Sequence, residues 1–279
     1  MTTILGPGNT IQKRLYVCNR WVPDPATYTE IVNLEREWVE PRAAELEHGA
    51  PPFTSRQELV SMLRELLRCE EADPRGCDRY LAEQATLEQF KVVVAEFAVD
   101  GLVESQSHLP IIPRLPAKSR MAVFRVLIDE FGCGNNEQEH SALYRKLLTE
   151  LDMPTELEHY IATVNEESLA YVNLFHWLAA RAPAPEYFLG AYAYFESSVL
   201  YAFRSFATAT ERLGIRNSQY YTEHLYIDGF HSRQILESIK ALEEEQPIDL
   251  AKIWAGIELT SRTVAAATEA AVVKARRLA

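Results

Sequence analysis

In the segment TEHLYIDGFHSRQ, three residues, His224, Asp228 and His231, have the types and spacing to do chemistry. At about 100° per residue, helical offsets of four and seven fall within roughly 60° of one another, so the three side chains leave one stripe and can meet a single target. Two imidazoles and a carboxylate converging on one point form a ligand set for iron, zinc or manganese, although the same groups also suit a hydrogen-bonded core network. Gly229 lies inside this helix, where a glycine costs about 0.5–1 kcal/mol against alanine and asks for a packing or site reason.

Glu196 is the second signal. It stands in GAYAYFESSVLYAFRSF among Tyr192, Tyr194, Phe195, Val199, Leu200 and Tyr201, and an unpaired carboxylate buried there would cost several kcal/mol. It needs a cation, which a metal or Arg204, two turns on, could supply. Glu104, in VVVAEFAVDGLVESQSH, falls near one helical stripe with Val93 and Phe97, which would point it inward; an isolated Glu is nonetheless more often solvated. In DEFGCGNNEQEHS, Gly132 and Gly134 interrupt any helix, so a loop can bring Glu130 to His140. Glu137 lies one turn before that His, and a lone His is more often structural.

These residues must be positioned by helices. Apolar residues recur at three and four positions nearly throughout, with no β-branched alternation, so the spacing predicts an all-α chain. Helices are expected over 26–48, 54–71, 77–108, 117–131, 137–151, 154–181, 185–213, 218–245 and 249–278. Their stops are Pro110 and Pro113, Gly132 and Gly134, Pro183 and Pro185, and Gly214. Thr54 with Gln57 reads as a capping box. No Ser/Gly-rich linker divides the chain, which predicts a single helical domain over 1–279, with 1–75 an accessory layer on a core of 76–279.

Composition narrows the function. With 28 Lys and Arg against 40 Asp and Glu, the net charge is −12, and no basic cluster exceeds Lys274, Arg276 and Arg277. A phosphate backbone would be repelled, so nucleic acid is not an expected partner. No apolar run has the roughly 18 residues of a membrane span, and the first 20 residues lack a signal-peptide core. A cytoplasmic location and no membrane partner are therefore expected, with Cys18, Cys69, Cys77 and Cys133 as reduced thiols.

Taken in order, DEFGCGNNEQEHS, YFESS and HLYIDGFHS resemble the haem-oxygenase-like di-iron oxidases and oxygenases, over roughly residues 90–242. The resemblance implies a haem-oxygenase-like helical bundle. It places metal ligands on Glu104, His140, Glu196, His224, Asp228 and His231, with Glu130, preferred over Glu137, as a further carboxylate. It also implies two Fe(II) ions, each giving one electron to dioxygen as co-substrate, an external electron donor and a small-molecule substrate; a homodimer is compatible with it. The expected reaction is desaturation, carbon–carbon cleavage or N-oxygenation of an amino acid in a biosynthetic pathway, with oxidative decarboxylation of a fatty acid as the alternative. Four carboxylates against two Fe(II) would leave the centre close to neutral, and without metal they would repel one another. Arg204 is the expected holder of a substrate carboxylate, with Tyr194 in the pocket wall. The competing readings are a ferritin-like protein, which needs two Glu-x-x-His pairs, a metal-free helical ligand-binding protein, and a helical scaffold.

Overall fold

The computed structural model describes residues 10–73 and 75–278. The chain is all-helical, and no strand occurs among the described residues. Helices α1 (Ile11–Asn19), α2 (Pro25–Trp38), α3 (Glu40–His48) and α4 (Arg56–Glu71) precede a short α5 (Cys77–Arg79), which runs into a π-turn at Tyr80–Gln84. Then follow α6 (Leu87–Gly101), a 3-10 segment (Gln106–Arg114), α7 (Ala117–Glu130), α8 (His140–Glu150), α9 (Leu157–Thr163), α10 (Glu166–Ala180), α11 (Pro185–Leu213), α12 (Gln219–Glu245) and α13 (Leu250–Arg276).

The long helices α11, α12 and α13 form the centre. α11 packs on both others, α7 on the far side of α12, and α6 and α10 against α13. Glycines set the α11–α13 crossing. A Cβ at Gly190 would fall 1.9 Å from the Ile253 carbonyl oxygen, and one at Gly256 would fall 2.0 Å from that of Tyr187. No other residue type lets the two backbones approach so closely. The N-terminal helices pack on α10, α11 and α13, with Leu15, Ile31 and Leu59 in the same apolar cluster as the central core.

Three of the expected elements are interrupted, a fourth starts late, and α1 was not anticipated. The helix expected over 26–48 breaks at Val39, because Pro41 has no N–H for the carbonyl one turn back. The one over 77–108 breaks at Ala85, where Thr86 and Gln89 form a capping box for α6; it ends again after Gly101, and Ser105 turns left-handed with φ 62°. The one over 137–151 starts only at His140. The one over 154–181 breaks before α10, where a tertiary partner intervenes. The buried Glu96 carboxylate accepts from the Asn165 N–H at 2.8 Å, a donor a continuous helix would have used, and from the Ser168 hydroxyl at 2.6 Å. The capping box read at Thr54 and Gln57 also shifts by one residue, since Ser55 accepts from the Glu58 N–H while the Glu58 carboxylate receives the Thr54 N–H. Of the basic cluster, Lys274 is spent on Glu96 and Arg276 covers the Tyr80 ring at 4.4 Å. No described helix is long and apolar enough to cross a membrane.

Candidate metal centre

Five elements converge on one buried cluster. The turn after α6 carries Glu104, α7 ends on Glu130, α8 opens with His140, α11 carries Glu196, and one face of α12 carries His224, Asp228 and His231. Six of these residues supply donor atoms to two groups, in each of which the atoms lie within 4.8 Å of one another: Glu104, Glu130, His140 and His224, and Glu130, Glu196 and His231. Asp228 adjoins the second, its Oδ1 3.3 Å from His231 Nδ1. Glu130 belongs to both groups, with Oε2 2.9 Å from His140 Nδ1 and Oε1 3.4 Å from His231 Nδ1.

The glycine-rich turn makes this possible. Between α7 and α8 the chain takes φ of 60° at Gly132, 52° at Cys133 and 83° at Gly134, and a Cβ at Gly132 would fall 2.6 Å from the backbone of Gln138 and Glu139. The turn therefore closes tightly enough to set the last residue of one helix against the first of the next.

Most of the donors face each other without bonding each other. His140 Nδ1, both His231 nitrogens, both Asp228 oxygens and Glu104 Oε2 are buried and make no correctly directed hydrogen bond. Buried polar groups are otherwise nearly always paired. His224 shows the reason most directly. Its Nδ1 lies 2.6 Å from the Tyr220 carbonyl, which can only accept, so Nδ1 carries the hydrogen. Nε2 then turns a lone pair on Glu104 Oε1 at 3.1 Å, an arrangement that needs a proton or a cation between the two. Ligand atoms at right angles and about 2.1 Å from one ion sit about 3 Å apart, close to the 2.9–3.4 Å spacings across this cluster. The donor set thus fits metal ions.

Titration behaviour carries the same message. Burial would lower His224 and His231, but Glu104 overrides it for His224 and the Asp228 and Glu196 contacts for His231, pushing them up to about 10 and about 11. Glu130 would be raised by burial, yet the charges of His140, His224 and His231 hold it well below the usual carboxylate range. Burial raises Glu196 to about 7. Without an ion, protons on the imidazoles balance the acids, and a metal would displace those protons on binding.

The structure leaves other expected residues elsewhere. Glu137 is exposed and pairs with Lys146 at 3.0 Å, so the ferritin-like Glu-x-x-His pair with His140 is not assembled. Arg204 does not face the cluster. It reaches the surface, 2.9 Å from Glu71, and bonds the Leu200 carbonyl. Eight positions on from Glu196, it lies about 80° round α11 from that acid, enough to take it out of the cluster. Tyr194 also points away, donating to Glu70 at 2.6 Å. A Cβ at Gly229 would meet open space, so packing does not explain that glycine.

Several contributors escaped the sequence reading. Asp129 Oδ2 lies 3.4 Å from His231 Nε2, on the opposite side of the ring from the other acids, and adjacency to Glu130 was its only signal. The Ser105 hydroxyl donates to Glu130 Oε2 and the Tyr220 hydroxyl to Glu104 Oε1. Tyr192, by contrast, was already named beside Glu196 in the sequence, and its hydroxyl is buried next to that acid without completing a hydrogen bond. Tyr220 acts on His224 through a backbone carbonyl, which no residue type announces.

Residues 91–264 match a family described as iron-containing redox enzymes, and all seven clustered residues fall within that stretch. Over 148 residues the chain is 29% identical to a nitrosourea synthase of Streptomyces achromogenes subsp. streptozoticus, a match covering 52% of this chain but only 31% of that relative. With its helical, haem-oxygenase-like fold and buried carboxylate–imidazole cluster, the chain belongs to the iron-containing redox enzyme family.

Proposed function

We propose that the cluster holds two iron ions and that the protein uses dioxygen to oxidise a small nitrogen-containing substrate, of which an amino acid is the nearest class. The observation that carries this reading is Glu130, whose two oxygens face imidazoles of different ligand groups, as a carboxylate bridging two ions would. Glu104, His140 and His224 would complete one ion's set, and Glu196, Asp228 and His231 the other's. Four carboxylates would then balance two divalent ions. Oxidation at nitrogen is favoured over the other reactions by the likeness to a nitrosourea synthase, whose product carries oxidised nitrogen.

When bound, ferrous ions supply the electrons and the open coordination positions through which dioxygen is activated. The chain's own part is orientation and shielding. The Tyr220 carbonyl fixes the His224 tautomer so that Nε2 is free, and Asp129 faces the second nitrogen of His231. The Ser105 hydroxyl holds Glu130 Oε2, and the rings of Phe203 and Tyr220, with centroids 4.8 and 4.7 Å from that of His224, keep bulk water from this side of the cluster.

Anaerobic reconstitution with Fe(II), metal analysis and an oxygen electrode test the proposal together. The expected result is about two irons per chain and oxygen uptake triggered by a member of a panel of amino acids and fatty acids. Binding of less than one iron per chain overturns the two-ion reading. Uptake with fatty acids alone overturns the substrate class.

A further inference from the structure

A cavity of about 80 Å³ lies directly behind the two rings that shield His224. Phe203 and Tyr220 form part of its wall, and Phe97, Tyr171 and Phe195 extend the aromatic lining. One acid, Asp100, opens into it. Its Oδ2 accepts the Tyr171 hydroxyl at 2.8 Å, and neither Lys, Arg nor His is among the lining residues. With no cation lining the cavity, burial and then Glu104 raise the Asp100 carboxyl to about 8, so it stays protonated when the cavity is empty, and a ligand cation would compensate the anion. Aromatic faces add attraction for the same charge.

A second cavity of about 90 Å³ adjoins the first, and Ser198, Ala202, Phe206, Val264 and Thr268 line both. Its other residues include Glu70, Asp73 and Asp78. The single cation there, Arg75, leans toward Glu269 at 3.8 Å. The two cavities thus lie side by side against one stretch of α11, an acidic outer chamber beside an aromatic inner one, with Asp100 in the inner chamber, close to the proposed metal centre.

We propose that the inner cavity is the substrate pocket and that Asp100 binds a protonated amine on a substrate whose remaining body is apolar. This rests on the di-iron reading only in calling the ligand a substrate; the amine site itself does not need iron. The outer carboxylates raise the local concentration of cations on the way in. Tyr171 holds the Asp100 carboxylate in place, leaving Oδ1 for the ligand.

Calorimetric titration of the iron-loaded protein with n-butylammonium, 1-butanol and butyrate tests the assignment, since the three probes share an apolar body and differ in charge. The expected result is millimolar binding of the amine, at least tenfold tighter than the alcohol, with butyrate weakest. Asp100→Asn should remove the preference for the amine over the alcohol while iron content and Tm stay unchanged. Ala202→Leu, which narrows the passage without touching Asp100, should weaken all three probes together and covers the case in which the Asn variant does not fold. Equal binding of amine and alcohol by the unaltered protein, or a preference that survives in Asp100→Asn, overturns the proposal. Amine selectivity in a protein that takes up no iron would leave this site standing and remove the di-iron reading instead.

Discussion

His140 Nδ1 lies 2.9 Å from Glu130 Oε2 across a turn in which Gly132, Cys133 and Gly134 all have positive φ. The spacing between these two donors is therefore set by backbone that side chains disfavour. Gly132→Ala adds a methyl group that would fall 2.6 Å from the Gln138 and Glu139 backbone, so the turn must open. The expected outcome is iron affinity reduced by about 10–100-fold with helical content intact, read by equilibrium metal titration beside far-ultraviolet circular dichroism. Unchanged affinity would show that the turn does not set the spacing.

Sharing of Glu130 makes single substitutions unequal. In Glu130→Gln both groups lose a charged ligand, whereas His231→Ala damages one and leaves Glu104, Glu130, His140 and His224 together. Iron analysis after reconstitution should find about one ion per chain in His231→Ala and well below one in Glu130→Gln. The same stoichiometry in both variants would refute the bridging role.

A distant ion pair should behave as pure structure. Arg181 donates to Glu35 at 2.6–2.9 Å, and Glu35 is only 2% exposed. Arg181→Ala leaves that carboxylate buried and unpaired, at a cost of about 3–5 kcal/mol and roughly 10 °C in Tm. Iron per folded chain should not change, and calorimetry with metal analysis separates the two effects.

Asp78 gives a pH signature in the outer chamber. Burial, then Asp73, raises its carboxyl to about 6, against the opposing Ser205 hydroxyl. A raised carboxyl means that the folded state holds the proton more tightly than the unfolded one. Its stabilisation is complete below about pH 4 and is lost as pH climbs through about 6. Asp78→Asn should therefore match the unaltered protein at pH 4 and exceed it by about 1–2 kcal/mol at pH 7, a figure reduced for partial solvent access. Thermal melts across that range measure the divergence, and parallel curves would refute it.

Sequence spacing was enough to bring residues of the cluster together where chemistry and period coincide. His224, Asp228 and His231 share a helix face, so helical counting alone put them together, and 185–213 was legible because Pro185 and Gly214 punctuate it at both ends. Glu104 needed more. It lies past the end of α6 on a turn, and the left-handed Ser105 beside it follows from no glycine or proline. The breaks at Val39 and Asn165 differ in cause: the first follows from the local Pro41, although the expected helix ran through it, while the capture of Asn165 by Glu96 joins residues 69 positions apart. Arg204, expected along a stripe near that of Glu196, lies far enough round α11 to reach solvent and Glu71 instead.

The paired glycines Gly190 and Gly256 bear on how this protein can diverge. Their contact is main chain against main chain, so the gap between α11 and α13 does not depend on the bulk of any interdigitating side chain. Glu196 follows Gly190 by six positions, about 9 Å along the same helix. Mutational drift among the surrounding Leu, Phe and Ala residues can therefore accumulate without displacing that acid, whereas the two glycines themselves are not free to change.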